Sequence, residues 1–313
     1  MSPVDPKPPL VVILGPTAVG KTSLAIQLAA RLNGEIVSAD SRLFYRDMDI
    51  GTAKPSAAEM AQVPHHLIDV ARPDETWSLA VFQQQARLVI ERLHQAKKLP
   101  FLVGGTGQYV RAVTQGWSPP AVQPDPRLRL VLEDLAAQHN PQWLHERLRL
   151  LDPASADNID ARNLRRTVRA LEVILTSGQP FSAQRRASES IYRLITIGLI
   201  RPRPELYARI DARIEAMFEQ GLLDEVRQLL SMGYSTDLPG MSAIGYREAA
   251  AVLQNKMTLE EAKTQMKRLT RIFVRRQANW FKQEDEGIRW FEMDEHTLKN
   301  TEDYIRANLA DQE

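Results

Sequence analysis

"LGPTAVGKTS", Leu14 to Ser23, decides the fold. Within it Gly15, Pro16, Thr17, Ala18, Val19, Gly20, Lys21 and Thr22 fit the pattern G-x-x-x-x-G-K-[ST], a P-loop. In such a loop successive backbone N–H groups and a helix N-terminus surround phosphate oxygens. Lys21 adds a point charge, and the Thr22 hydroxyl can complete a Mg²⁺ shell. The flanks are those the motif requires. "LVVIL" (Leu10–Leu14) is a short apolar run that reads as a buried strand, and Lys21 to Leu32 reads as an amphipathic helix closed by Asn33-Gly34.

Further along, "EIVSAD" (Glu35–Asp40), "HHLIDV" (His65–Val70) and "LPFLVGG" (Leu99–Gly105) read as second, third and fourth strands. Between them Ser78–Lys98 has Leu79, Phe82, Ala86, Ile90 and Leu93 on one helical face, and "TGQYVRAVTQ" (Thr106–Gln115) reads as a further helix. Alternating strands and helices predict an α/β fold: a P-loop NTPase-like core with a parallel sheet flanked by helices. The rhythm breaks at "GWSPPAVQPDP" (Gly116–Pro126), whose four prolines forbid regular structure. From Pro126 to about Arg186 every periodic segment is helical, and "YRLITIGLI" (Tyr192–Ile200) restores a strand. The economical reading is an all-helical insertion domain over 119–190, between core parts 10–118 and 191–313, after a loose tail 1–9. Beyond Pro204 the pattern is helical apart from a short strand candidate, "IRWFE" (Ile288–Glu292).

At 313 residues the chain can bury a sizeable core without staples. It has no cysteine, which excludes disulfides and cysteine-ligated zinc and fits a reducing compartment. "MSPVDPKPPL" is not a secretory signal, and Leu10–Leu14 is far too short to span a bilayer. A cytoplasmic protein with no membrane partner is expected. The net charge of +1 decides nothing, because clustering matters more than the sum. Lys267, Arg268, Arg271, Arg275, Arg276 and Lys282 follow one another with no acid between them, and Arg162 to Arg186 contains six arginines against one acid, Glu172.

A nucleotide hydrolase needs an acid beyond the end of a neighbouring apolar strand to hold its metal. "PFLVGG" ends in Gly104-Gly105-Thr106, and Asp69 lies inside the third strand, which weakens that reading. Asp40 is better placed, ending the second strand at the carboxyl ends of the strands, where ligands of open α/β folds lie. A carboxylate there can take a proton from an attacking group, although Asp-Ser also caps turns. Its position relative to the P-loop favours the catalytic role. His65 and His66 are adjacent in a strand and point to opposite faces, so they cannot share a metal, and structural roles are expected.

Arg162, Arg165, Arg166 and Arg169 recur at helical spacing on one face, opposite an apolar stripe of Leu164, Val168, Leu171 and Leu175. Arg268, Arg271, Arg275 and Lys282 likewise share a face. A solvated face normally intersperses acids, whereas guanidinium rows suit a phosphate backbone. The residues therefore point to an enzyme that binds a diphosphate or triphosphate in its core and a polyanion along the inserted helices.

"GPTAVGKTSLAIQLA", "SADSRLFYRDMDIGTAKP", "PHHLID", "LVGGTGQY", "RRTVRALEVI", "AIGYRE" and "TRIFVRRQANWF" together resemble, in order, the bacterial tRNA dimethylallyltransferases, or IPP transferases, from about Leu10 to about Phe291. The resemblance implies that the P-loop holds dimethylallyl diphosphate with Mg²⁺. It further implies that the prenyl group passes to the exocyclic amine of adenosine 37 in the tRNA anticodon stem-loop, with diphosphate as leaving group. By resemblance, Asp40 orients the amine and accepts its proton, while Lys21, Thr17, Thr22 and the metal stabilise the departing diphosphate, with Arg209 and Arg213 near it. Asp40, Ser41, Arg42, Leu43, Thr106, Arg129 and the segment Arg165, Arg166 to Arg169 are implied tRNA contacts of a monomeric enzyme. Leu43 departs from the Gln common in the family, and the zinc finger of some eukaryotic relatives is absent. Two rivals remain: a small-molecule kinase of the shikimate type, using the same core with ATP, and a non-catalytic RNA-binding ATPase.

Overall fold

The computed structural model of the chain describes residues 7–117, 120, 122–184 and 189–310. Six strands form one sheet: β1 (Pro9–Leu14), β2 (Gly34–Ser38), β3 (His65–His66), β4 (Leu99–Gly104), β5 (Arg193–Ile200) and β6 (Arg289–Glu292). Their order is β3-β2-β4-β1-β5-β6, and every neighbouring pair is parallel. Central β1 is apolar from Leu10 to Leu14 because both its faces are covered, and those residues are buried.

The chain divides into two compact units, one of residues up to Thr114 together with those from Ser190 onward, the other of Gln115–Glu189. The first unit holds the whole sheet. Its early helices are α1 (Lys21–Arg31), α2 (Ala57–Met60), α3 (Leu79–Gln95) and α4 (Gly107–Thr114). The Ser78 side chain accepts from the Val81 N–H to start α3, which buries Leu79, Phe82, Ala86, Ile90 and Leu93, the face its periodicity marks.

The second unit is helical: α5 (Pro126–His139), α6 (Pro141–Leu151), α7 (Pro153–Asn158) and α8 (Leu164–Ser177). Each helix starts behind a side-chain cap, Asp125, Asn140, Asp152 or Asn163. In the first three a proline takes the opening position, where its missing N–H costs nothing. Leu132, Ala136, Leu144, Leu148, Val168 and Leu171 meet in the unit's own core.

The first unit resumes after β5 with α9 (Arg203–Glu219), α10 (Leu222–Ser231), α11 (Tyr246–Leu253), α12 (Leu259–Ala278) and, beyond β6, α13 (Thr297–Ala310). Among the described residues, no helix is long and apolar enough to cross a membrane.

Several expectations are corrected. Of "HHLIDV" only His65 and His66 pair, opposite Ile36 and Val37, because Leu67 and Asp69 take φ of 61° and 55° and turn the chain out of the sheet. Asp40 stands two residues past the end of β2, and β4 lies between β2 and β1. Pro9 belongs to β1, paired with Arg193, instead of to a loose tail, as suits a proline at a strand's first residue; residues 1–6 lie outside those described, as do Arg185 and Arg186. Arg162 precedes α8 and pairs with Asp160 at 2.8 Å. Leu175 is exposed, and Lys282 lies beyond the end of α12, so neither belongs to the face assigned to it.

Glu172 has a side chain with no solvent exposure, yet carries a charge. Its Oε1 accepts from Arg129 Nε at 2.8 Å and from the Asp125 N–H at 2.7 Å, and its Oε2 accepts from Arg129 Nη2 at 2.8 Å and Arg169 Nη1 at 2.5 Å. Burial alone raises such a carboxyl, but these bonds outweigh it and hold Glu172 below its ordinary range. A depressed carboxyl stabilises the fold fully above its ordinary value of 4.5, and that contribution is lost as pH falls through the depressed value. Melting temperature is therefore expected to drop on acidification below about pH 4.5. Glu172→Leu removes that pH dependence and costs about 2–3 kcal/mol in urea unfolding, less than a fully buried pair because both arginines reach solvent.

Candidate functional site

The glycine-rich turn between β1 and α1 is built so that the N–H groups opening α1 stay available. Gly20 caps α1 at φ 116°, a conformation that glycine adopts without strain. No side chain caps α1 and no acid stands in its first turn, which leaves a helix N-terminus free for an anion. The carbonyls are tied down instead. Lys21 Nζ donates to the Gly15 and Pro16 oxygens at 3.0 and 2.8 Å, Arg209 Nε to Ala18 O at 2.9 Å and Arg201 Nε to Val19 O at 2.9 Å. Removal from water pushes the Lys21 ammonium down to about 8, opposed by Asp40 and assisted by Arg213.

A cavity of about 680 Å³ opens beside the turn. Thr17, Ala18, Asp40, Ser41, Arg42, Thr106 and Arg213 line its polar end; Ile210, Ile214, Met217, Met266, Leu269 and Phe273, on α9 and α12, form an apolar wall. The approach of Asp40 depends on Gly104 in β4. A Cβ there would stand 2.4 Å from Ala39 O, so only glycine lets the two chains lie this close. Asp40 Oδ1 accepts the Arg42 N–H at 3.0 Å, so the residue closes a turn and lines the cavity at once.

The expected site residues fall into three groups. Gly15 to Thr22, Asp40, Ser41, Arg42 and Thr106 gather around the turn; with them Arg209 holds the turn itself and Arg213 donates to Thr52 O at 3.4 Å. Burial pushes the Arg213 guanidinium down from its usual value against the pull of Asp40. Leu43 lines a smaller void beside the turn. In the helical unit, Arg129 and Arg169 are turned onto Glu172, whereas Arg165 and Arg166 are exposed and have no ion-pair partner among the described residues. On α12, Arg271 pairs with Asp211 and Lys267 with Glu215, while Arg268, Arg275 and Arg276 are exposed and likewise unpaired.

The structure adds residues that motif reading misses. Gln277 is buried and bridges the turn to β4: its Oε1 accepts the Thr17 N–H at 2.9 Å and its Nε2 donates to Gly105 O at 3.0 Å. Arg201 directly follows β5, a position legible once that strand is drawn. Glu225 accepts from the N–H groups of Asp49, Ile50 and Gly51 and from the Tyr246 hydroxyl at 2.6 Å, pinning the loop that leads to Thr52. Burial first, then Glu225, push the Tyr246 hydroxyl far up. Asp69 receives Lys54 at 2.5 Å and is thereby spent on that loop. His66 Nε2 bonds Glu35 at 2.8 Å and His65 Nδ1 bonds Val63 O at 2.7 Å, the structural roles expected of the pair.

Among the described residues, no group of three or more His, Asp or Glu side chains could hold a metal unaided. Magnesium asks for less, since it keeps several waters and takes one or two protein ligands beside substrate phosphates. The Thr22 hydroxyl on the first turn of α1, next to a void of about 40 Å³ that also reaches Asp40, fits that demand.

An anion cradle on a parallel sheet, with a carboxylate and an apolar wall on the same cavity, defines a P-loop enzyme that handles a phosphate ester with an apolar part. The model of the family described as IPP transferase matches residues 43–284. The chain is 54% identical over 274 residues to a tRNA dimethylallyltransferase of Roseiflexus sp. (strain RS-1), covering 88% of this chain and 90% of the relative. It is similar to the full-length tRNA isopentenylpyrophosphate transferase of Bacillus halodurans, at 42% identity and a TM-score of 0.72 over 97% of each chain. A eukaryotic dimethylallyltransferase acting on tRNA superposes with a TM-score of 0.80 at 26% identity, over 96% of this chain and 77% of that one. The chain belongs to the IPP transferase family.

Lys21 titrates at about 8, and a diphosphate beside it favours the charged form. An organic diphosphate is therefore expected to take up a proton on binding near pH 8 and to bind more weakly as pH rises beyond it. Calorimetry in two buffers of different ionisation enthalpy reads this uptake, which disappears in Lys21→Met.

Proposed function

We propose that this chain is a tRNA dimethylallyltransferase. It moves the dimethylallyl group of dimethylallyl diphosphate to the exocyclic amine of adenosine 37, beside the anticodon, and releases diphosphate. The observation that carries this reading is the double character of one cavity: a phosphate cradle and Asp40 at one end, an aliphatic wall at the other. A five-carbon allylic diphosphate has the same two halves. A sugar-like acceptor of the shikimate type would leave the Ile210, Ile214 and Met217 wall without a purpose, and the relatives, named as dimethylallyl transferases, favour prenyl transfer over that kinase.

In this reading the amine nitrogen attacks the allylic carbon, the carbon–oxygen bond breaks, and the electron pair leaves with the diphosphate. An adenine amine is a weak nucleophile because its lone pair is delocalised into the ring, so Asp40 orients it and takes its proton. Lys21, Thr17, Arg209, Arg213 and the free N–H groups of α1 meet the charge that grows on the leaving group. The Thr22 hydroxyl would hold a magnesium ion, which would supply further positive charge there. The target base has to leave the anticodon stack to reach the allylic carbon. Arg165, Arg166, Arg268, Arg275 and Arg276, the guanidinium groups left without acids, are the phosphate contacts of this proposal, along with Ser41, Arg42, Leu43 and Thr106 around the base. Arg129 and Arg169, bound to Glu172, act by shaping the helical unit. The enzyme works in the cytoplasm as a monomer.

Incubation with dimethylallyl diphosphate, Mg²⁺ and unmodified tRNA, followed by mass analysis of the nucleosides, is expected to show a prenyl gain on one adenosine. Asp40→Asn lowers kcat by about 10²–10⁴, the contribution of a general base, while tRNA affinity in gel shifts falls far less. Transfer of phosphate from ATP in place of prenyl would return the kinase reading.

A further inference from the structure

Strands β1 and β4 pair as far as Leu14 opposite Gly104, and there the ladder stops. Past that rung one chain turns into the phosphate loop and the other leads to α4. A side chain bridges the gap. Gln277, buried on the last turn of α12, accepts the Thr17 N–H on Oε1 at 2.9 Å and donates from Nε2 to Gly105 O at 3.0 Å. A backbone N–H only donates and a carbonyl only accepts, so these two partners fix which way round the amide lies. It stands in for a missing peptide of the ladder. Its seat is narrow, since a Cβ on Gly105 would come within 2.3 Å of Gln277 Nε2.

The end of α12 does not depend on this amide for its place. Arg111 Nη2, on α4, donates to Trp280 O at 2.7 Å, its guanidinium carbon stands 5.4 Å from the Trp280 ring centre, and a Cβ on Gly107 would meet Trp280 Cγ at 2.3 Å. The helix end and the end of β4 are therefore two fixed posts, and the phosphate turn is what Gln277 ties to them. Thr17 lines the large cavity, and the Pro16–Thr17 peptide is planar with its carbonyl on Lys21 at 2.8 Å, so holding its N–H as well fixes the peptide plane and with it the direction of the Thr17 side chain. We propose that Gln277 is a positioning residue for Thr17: it ties the Thr17 peptide to the end of β4, so that the hydroxyl is aimed before charge grows on the leaving diphosphate. The role rests on the prenyl transfer proposed above, in which Thr17 meets that charge.

The test is a cycle of full-length wild type, Gln277→Met, Thr17→Ala and the double variant, assayed for prenyl transfer. Methionine keeps an unbranched side chain of similar length and removes both hydrogen bonds. Gln277→Met is expected to lose about tenfold in kcat, the scale of one or two hydrogen bonds, with KM for tRNA unchanged. In the Thr17→Ala background the same change is expected to cost less than about twofold, because no hydroxyl remains to be aimed. A wild-type kcat in Gln277→Met overturns the proposal. So does a loss undiminished in the Thr17→Ala background, the mark of a direct contact with substrate or of a general structural role. Hydrogen exchange gives a readout free of activity: the Thr17 amide is expected to be protected in the wild type and released in Gln277→Met. A freely exchanging Thr17 amide in the wild type overturns the proposal even if Gln277→Met fails to fold. Absence of prenyl transfer by the wild type would instead sink the functional reading, which the exchange does not address.

Discussion

Four carbonyls of the phosphate turn are each held by a cation. Lys21 takes Gly15 and Pro16, Arg209 takes Ala18 and Arg201 takes Val19. In a planar trans peptide the C=O and the following N–H point opposite ways, so fixing the Val19 oxygen aims the Gly20 N–H to the other side, next to those of Lys21 and Thr22 that no cap claims. The peptide between Pro16 and Thr17 is fixed at both ends, by Lys21 and by Gln277. The cradle is thus preorganised from four places in the chain, and an incoming anion meets dipoles already turned toward it. The lowered proton affinity of Lys21 reflects how little water it meets under the loop.

The aspartate gains its place indirectly. Asp40 follows β2, which is separated from the P-loop strand by β4, and the close approach of Ala39 to Gly104 brings it back toward the turn. Gln277, from the far end of α12, closes the remaining gap between the turn and β4 through Gly105. Polar placement here comes from residues scattered over the whole first unit, while the apolar wall comes from two helices, α9 and α12. The positive charge on the helices follows the same economy. Where an acid is within reach the arginine is structural, as with Arg129, Arg169 and Arg271; where none is, it stays open to solvent.

Much of this was legible beforehand. The P-loop, the parallel sheet, the face of α3, the late return of β5 and even the four-residue β6 follow from periodicity and turn residues, because buried strands and amphipathic helices write their period into the chain. The errors have physical causes. "HHLIDV" has the composition of a strand, but Lys54 draws Asp69 into the loop and the chain leaves the sheet after His66. Arg162 keeps helical spacing with its neighbours, yet Asn163 caps the helix behind it and Asp160 takes its charge. Spacing also cannot tell a guanidinium aimed at solvent from one folded onto a buried carboxylate, which is why Arg169 looked like Arg165 and Arg166. Gln277, Arg201 and Glu225 act on partners far away in sequence, and no local pattern announces them.

The pairing of β1 with β5 runs unbroken from Pro9 with Arg193 to Leu14 with Gly198, across the entire helical insert. On a ribosome, therefore, the strand that carries the phosphate turn emerges with one flank lacking, and its second neighbour is synthesised only after the insert is complete. The inserted helices, whose contacts are local and whose ends carry their own caps, can form while the sheet waits. Assembly of the reactive centre becomes a late event in the life of the nascent chain, and truncated products are left without a finished cradle.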